Sequence, residues 1–207
     1  MTTKRRIRRL VAAACATAGA IACLPALPAV DLGDVTLEES TQVGGQNLQL
    51  NGAGIARRLV FKVYAMGLYL PDRTQRTDAV LATDGPRRMT ILPLRDISGD
   101  DFAEAVMSDL SPERFKSPEV LQQLVALAGA ISQQPGGLRR GDVLTLDWLP
   151  GTGAVVSLNR RPLAAPMRNR AVYDALLMVW LGEKPTDPPL KAKLLGGGAA
   201  DVREARL

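Results

Sequence analysis

Hydrophobic and polar positions along the chain divide into a strand-rich first half and a helix-rich second half. Residues 35–51 alternate over short runs about Gly44-Gly45, a dipeptide that accepts positive φ and suits a hairpin. Asn51-Gly-Ala-Gly54 reads as a second turn, delivering a longer strand or bent strand pair over 55–70 that Pro71-Asp72 ends. Residues 77–83 read as a short helix, and 88–94 as a strand between Gly85-Pro86 and Arg95-Asp96. Period-3.6 patterning then takes over. Ser98, with Asp101 at the third position, caps a helix with the stripe Phe102, Ala105, Val106 and Leu110. Ser117-Pro118-Glu119 starts another, with Leu121, Leu124, Val125, Ala128 and Ile131 on one face, stopped by Pro135-Gly136-Gly137. Residues 143–149 and 154–159 flank Pro150-Gly-Thr-Gly153 as a hairpin. A helix over 166–181 carries Ala171, Val172, Ala175, Leu176, Met178 and Val179 inward and ends at Gly182, and 188–195 adds a turn or two. The order lacks the strict alternation of a parallel sheet, so the expected class is α+β, an antiparallel sheet with helices on one face.

The first 29 residues stand apart. Lys4, Arg5, Arg6, Arg8 and Arg9 precede an alanine-rich apolar run broken by Pro25 and Pro28, the pattern of an export signal cleaved near Ala29. Ala20-Ile21-Ala22-Cys23 is a loose lipoprotein box, and the arginine pairs are compatible with the twin-arginine route. The expected organisation is a signal over 1–29, one domain over 30–196 and a glycine-led flexible tail over 197–207, placing the mature chain in the periplasm or outside the cell.

Removing the leader changes the charge argument. The chain has 26 basic and 21 acidic residues, and losing the five basic leader residues leaves 21 against 21. The mature protein is near neutral, which gives no support to a nucleic-acid partner. Both cysteines, Cys15 and Cys23, lie in the leader, so the mature chain has neither disulfide nor thiolate nucleophile. The lack of histidine removes the serine-histidine triads and most zinc sites. Neither cofactor nor metal is expected, and any membrane association is expected only through the export signal or lipidation at Cys23.

Several features have a plain reading beside a functional one. Gly52 and Gly54 precede a strand, without the helix N-terminus that binds phosphate, and so read as a turn. Asp100 and Asp101, at a helix start, serve the helix dipole. Asp96 after Arg95 reads as a structural ion pair. Arg58 and Lys62 fit either a solvated strand face or a cleft. Tyr64, Phe102 and Trp180 read as core or cleft wall.

The motifs Leu-Asn-Gly-Ala-Gly at 50–54, Phe-Lys-Val-Tyr-Ala-Met-Gly-Leu-Tyr-Leu at 61–70, Ile-Leu-Pro-Leu-Arg-Asp-Ile-Ser at 91–98, Trp180-Leu181-Gly182 and Leu190-Lys191 together resemble the chalcone isomerase-like proteins, in their bacterial exported branch. The likeness spans roughly residues 40–196. It implies an open-faced β-sandwich, a large antiparallel sheet with helices on one side and a ligand cleft between. Catalytic members of that family close a chalcone without a cofactor, related plastid members bind fatty acids, and many bacterial members look like scaffolds, so the site must decide.

The resemblance also implies a site. An arginine just after the Gly-Ala-Gly turn attracts the substrate oxyanion in catalytic members, and here that position is Ala56. By strand parity Ala56, Arg58, Val60, Lys62 and Tyr64 share a face, making Arg58 the substitute, unless a bulge passes the part to Arg57. Tyr64 matches a threonine of the family site, Phe102 a tyrosine, and Asp109 an asparagine. The candidate ligand-binding residues are therefore Arg58, Tyr64, Phe102 and Asp109, with no catalytic residue assigned. The reading is a non-catalytic domain holding a small apolar or fatty-acid-like ligand. The alternatives are a periplasmic interaction module with a filled cleft and a cofactor-independent isomerase.

Overall fold

A computed structural model describes residues 29–109 and 115–197, the side chains of 106–109 excepted. Residues 1–28 of the expected export signal, with Cys23, the side chain of Val106, Leu110 and the expected tail beyond residue 197 lie outside the described residues and side chains.

In chain order the elements are β1 Ala29–Asp31, β2 Thr36–Glu38, β3 Ser40–Val43, β4 Gln46–Arg58, β5 Phe61–Leu70, α1 Thr77–Ala82, β6 Arg87–Pro93, α2 Gly99–Asp109, α3 Pro118–Ser132, β7 Leu144–Leu149, β8 Gly153–Leu158, β9 Arg161–Pro162, α4 Arg170–Leu181 and α5 Pro188–Leu194. Strands β3 to β9 form one antiparallel sheet in sequence order, a curled sheet with helices on one face. On the other face, the β1–β2 hairpin lays Leu37, with Val30 and Leu32, over Val43, Leu48, Leu50 and Tyr69. This second layer explains why β5 is buried without interruption from Ala65 to Leu70: a strand covered on both sides loses its polar alternation.

The inner face carries Met66, Leu68, Met89, Ile91, Leu144, Leu146 and Val156 against the helices. Ser117 accepts the Val120 N–H as N-cap of α3, and the Asp101 N–H donates to Ser98 Oγ at 3.1 Å, both as the sequence predicts. The apolar faces are rotated from expectation. In α3, Val120 and Leu127 are buried and Val125 is exposed. In α4, Tyr173, Leu177 and Leu181, spaced i, i+4, i+8, meet the sheet, while Val172 and Ala175 meet α3. That helix begins at Arg170, capped by Asn169, later than the predicted 166. Gly182 ends it in an extended conformation, with its N–H on Met178 O.

The Asn51–Gly54 turn predicted from sequence does not form. Those residues lie within β4, which has a register shift between Leu50 and Gly52. The shift reverses the alternation: Leu48 and Leu50 pack outward beneath β1–β2, whereas Ala56, also even-numbered, joins the inner cluster. Helix α5 crosses the strand there. A Cβ on Gly52 would sit 2.7 Å from Leu194 O, and one on Gly54 would sit 3.0 Å from Leu190 Cδ1. The glycines are thus a bed for a helix rather than a turn. Asn51 fastens it, donating from Nδ2 to Leu194 O at 2.7 Å and accepting the Thr74 N–H at 2.7 Å.

The segment 55–70 is likewise two strands, folding back at Leu59-Val60. Ala56 pairs with Tyr64, Arg57 with Lys62 and Arg58 with Phe61, so Val63 is an extra residue on β5. The single face expected for Ala56, Arg58, Val60, Lys62 and Tyr64 is broken by this turn and bulge. The expected Arg95–Asp96 ion pair also does not form, because Asp96 Oδ1 accepts the Arg140 N–H at 2.8 Å.

Candidate functional site

The position matched to the family arginine is a small apolar point in the wall between sheet and helices. Ala56 is buried opposite Tyr64, and Tyr64 packs on the inner core. Across the gap, Trp180 on α4 donates its Nε1–H to Tyr64 Oη at 2.9 Å. Both side chains are half-buried, and this bond joins the helix layer to β5. Phe102 on α2 packs against the same core, with an edge incapable of hydrogen bonding.

The other two sequence candidates are not brought into this group. Arg58 is the last paired residue of β4, exposed beside the hairpin turn, and its guanidinium makes no ion pair or hydrogen bond among the described residues. Asp109 closes α2, and its side chain lies outside the described set. Among the described residues there is no group of three or more carboxylate, cysteine or histidine side chains suited to a metal.

Among the described residues, the arginines that enter the interior are Arg87 and Arg88, and their burial is not legible in the sequence. Arg87 is fully buried. Its guanidinium donates to Val80 O at 3.1 Å and to Asp174 Oδ1 at 3.4 Å, and it lies 5.0 Å from the Tyr173 ring and 5.9 Å from Trp148. It thus closes the carbonyl end of α1 and stacks on two aromatic faces. Desolvation lowers its pKa, with Tyr173 and Asp174 opposing. Arg88, opposite Asp147 across β6 and β7, grips that carboxylate at 2.7 and 2.6 Å, with Nη1 on Thr41 at 3.1 Å. Both are committed to the scaffold.

Concave space opens elsewhere, at the β8–β9 end of the sheet. A space of about 420 Å³ is lined by Gln134 after α3, Leu158 and Asn159 at the end of β8, and Arg161 and Leu163 around β9. It is a half-open groove rather than an enclosed cavity. Leu158 and Leu163 continue the inner core, and Gln134 and Arg161 supply polar groups at the rim. Sequence reasoning did not single out these residues. Leu158 and Leu163 carry an ordinary core signal, and only the β8–β9 turn joins them to Gln134.

A chalcone isomerase-like family model matches residues 29–196. The chain belongs to the chalcone isomerase-like family. Among solved structures, this chalcone isomerase-like chain is similar to a fatty-acid binding protein of Arabidopsis thaliana at a TM-score of 0.62 and 15% identity, covering 84% of this chain and 98% of that one. At that identity the likeness establishes the fold: the curled antiparallel sheet covered by helices is the one the motifs imply. No curated protein matches the sequence significantly.

Proposed function

We propose that this protein is an exported, non-catalytic member of its family that holds a small, largely apolar molecule of the fatty-acid kind at the seam between sheet and helices. The observation that supports the reading is the burial of Ala56, the residue that the motif match puts at the place of the oxyanion-binding arginine, opposite a tyrosine whose hydroxyl accepts from Trp180. Acceleration of chalcone cyclisation draws on a cation beside the phenolate, and removal of one such electrostatic partner in an enzyme costs about 10²–10³ in rate. What remains is an apolar wall of Tyr64, Phe102 and Trp180 and a groove whose Arg161 and Gln134 suit a carboxylate while Leu158 and Leu163 suit a chain. The ligand named for the Arabidopsis relative supports the same class. Export rests on the basic and apolar leader, which implies a periplasmic or secreted protein, with acylation at Cys23 as the variant outcome.

Mass spectrometry of a denatured extract of the purified protein tests the reading. The expected result is a carboxylic lipid recovered near one per chain, or saturable fatty-acid binding by the stripped protein. A clean extract together with flat titration would overturn it. The Tyr64–Trp180 bond bridging strand and helix favours a second reading, an interaction module whose cleft is filled by its own side chains.

A further inference from the structure

The β4–β5 hairpin ends in an apolar point that the core does not use. Leu59 is 91% exposed, Val60 79% and Phe61 60%, three consecutive large hydrophobic side chains in solvent. Leu59 also sits at φ 56°, in the left-handed region where leucine is rare and glycine or asparagine is usual for a tight turn. Local cost of this kind, together with exposed apolar surface, collects at places of contact with something else.

The surroundings specify the chemistry. Antiparallel order brings the hairpin tip, the end of β6, the start of β7 and the β8–β9 turn to one end of the sheet. That end carries Arg57, Arg58, Lys62, Arg95, Arg140 and Arg160, all exposed. Among the described residues, carboxylates at that end hold internal donors, Asp187 among them, which accepts the Arg57 N–H at 3.1 Å. Asp34 is held by Lys62 at 2.5 Å, Asp96 by the Arg140 N–H, and Asp142 by the Arg139 N–H at 2.7 Å and Asn159 Nδ2 at 2.8 Å. The five guanidiniums of that group form no ion pair among the described residues. An apolar wedge inside a collar of unpaired guanidiniums matches a surface with phosphates outside and hydrocarbon beneath.

We propose that the Leu59-Val60-Phe61 tip and its arginine collar dock on an anionic lipid bilayer. The apolar side chains enter the acyl boundary and the guanidiniums lie at phosphate level, so the chain sits on the membrane and does not span it. No helix among the described residues is long and apolar enough to cross one. The docking rests on the hairpin and its collar, not on the ligand proposed for the seam, although the groove beside Asn159 and Arg161 opens at the same end.

Flotation of the full chain with vesicles tests it, comparing phosphatidylglycerol–phosphatidylcholine mixtures with phosphatidylcholine alone. Binding is expected only to the anionic vesicles. Arg58→Ala is expected to weaken it about fivefold, the usual worth of one basic residue at such a surface, and Phe61→Ser by a comparable factor. Phe61→Trp is expected to be quenched by brominated lipid beyond the quenching of the native tryptophans. The leader is common to all variants and so cannot produce a difference between them. Equal flotation of wild type and both tip variants, or an unquenched Phe61→Trp, would overturn the proposal. So would a lipid-independent dimer that the tip variants dissolve while vesicle binding persists. Docking without an extractable lipid, or an extractable lipid without docking, separates this result from that of the seam reading.

Discussion

Tyr69 shows how one residue ties local environment to a measurable property. Its Oη donates to Glu38 O at 3.0 Å beneath the β1–β2 hairpin, and burial, with the Glu38 carboxylate adding to it, pushes its pKa up to about 12. Burial raises Tyr173 as well, against the opposing Arg87 guanidinium. In the unfolded chain both phenols ionise near a pKa of about 10. The folded protein therefore keeps protons that the unfolded one releases, and stability falls as pH rises above about 10. Below that value the contribution is fully present; it is lost through the interval up to about 12 for Tyr69. Urea midpoints measured at rising pH are expected to decline in this alkaline window, with a shallower decline in Tyr69→Phe. Full phenolate absorbance from a still-folded chain at the foot of the window would contradict the assignment. Arg87 marks the limit of legibility at this scale. A charged residue at the head of a strand reads as exposed, and its burial depends on Val80, Trp148 and Tyr173 arriving from three other elements. Tyr64, Phe102 and Trp180 were legible as wall residues, whereas the Tyr64–Trp180 bond was not, since its partners are 116 residues apart.

At the scale of elements, the hydrophobic pattern located the helices and most strands and misjudged what bends and what faces inward. Asn-Gly-Ala-Gly has the composition of a turn, and only the arrival of α5 shows why glycine is needed in an uninterrupted strand. Neither Gly52 nor Gly54 has positive φ, so added volume is the relevant variable. Gly52→Ala directs a methyl group at the α5 backbone, at Lys193 O and Leu194 O, while Gly54→Ala meets the movable side chains of Lys193 and Leu190. Overpacking of this kind costs about 1–3 kcal/mol. Denaturant unfolding is expected to place Gly52→Ala at or beyond that range and Gly54→Ala well below it; equal midpoints would mean that α5 does not rest on the glycine bed. The faces of α3 and α4 were shifted for a related reason. Both helices are apolar on more than one side, because α4 packs on the sheet and on α3 together, and periodicity alone does not rank two apolar faces.

The whole molecule was legible in outline because its motifs occur in a specific order, and that order is what a curled sheet with a helical cover requires. The sequence match assigned Ala56 to the place of the family arginine, and the structure shows that residue buried opposite Tyr64. Arg58 as its substitute was not legible from parity, because a two-residue turn and a bulge at Val63 intervene between it and Tyr64. The groove was hidden because Gln134, Leu158 and Leu163 become neighbours only in the folded chain. The central proposal is that this chain binds a ligand without closing it chemically, Ala56 standing at the position that the motifs match to the family arginine. Its most direct test is the absorbance of a chalcone incubated with the purified protein. The account predicts a decay indistinguishable from that of the protein-free control. A protein-dependent closure to the flavanone, abolished in Arg58→Ala, would contradict it.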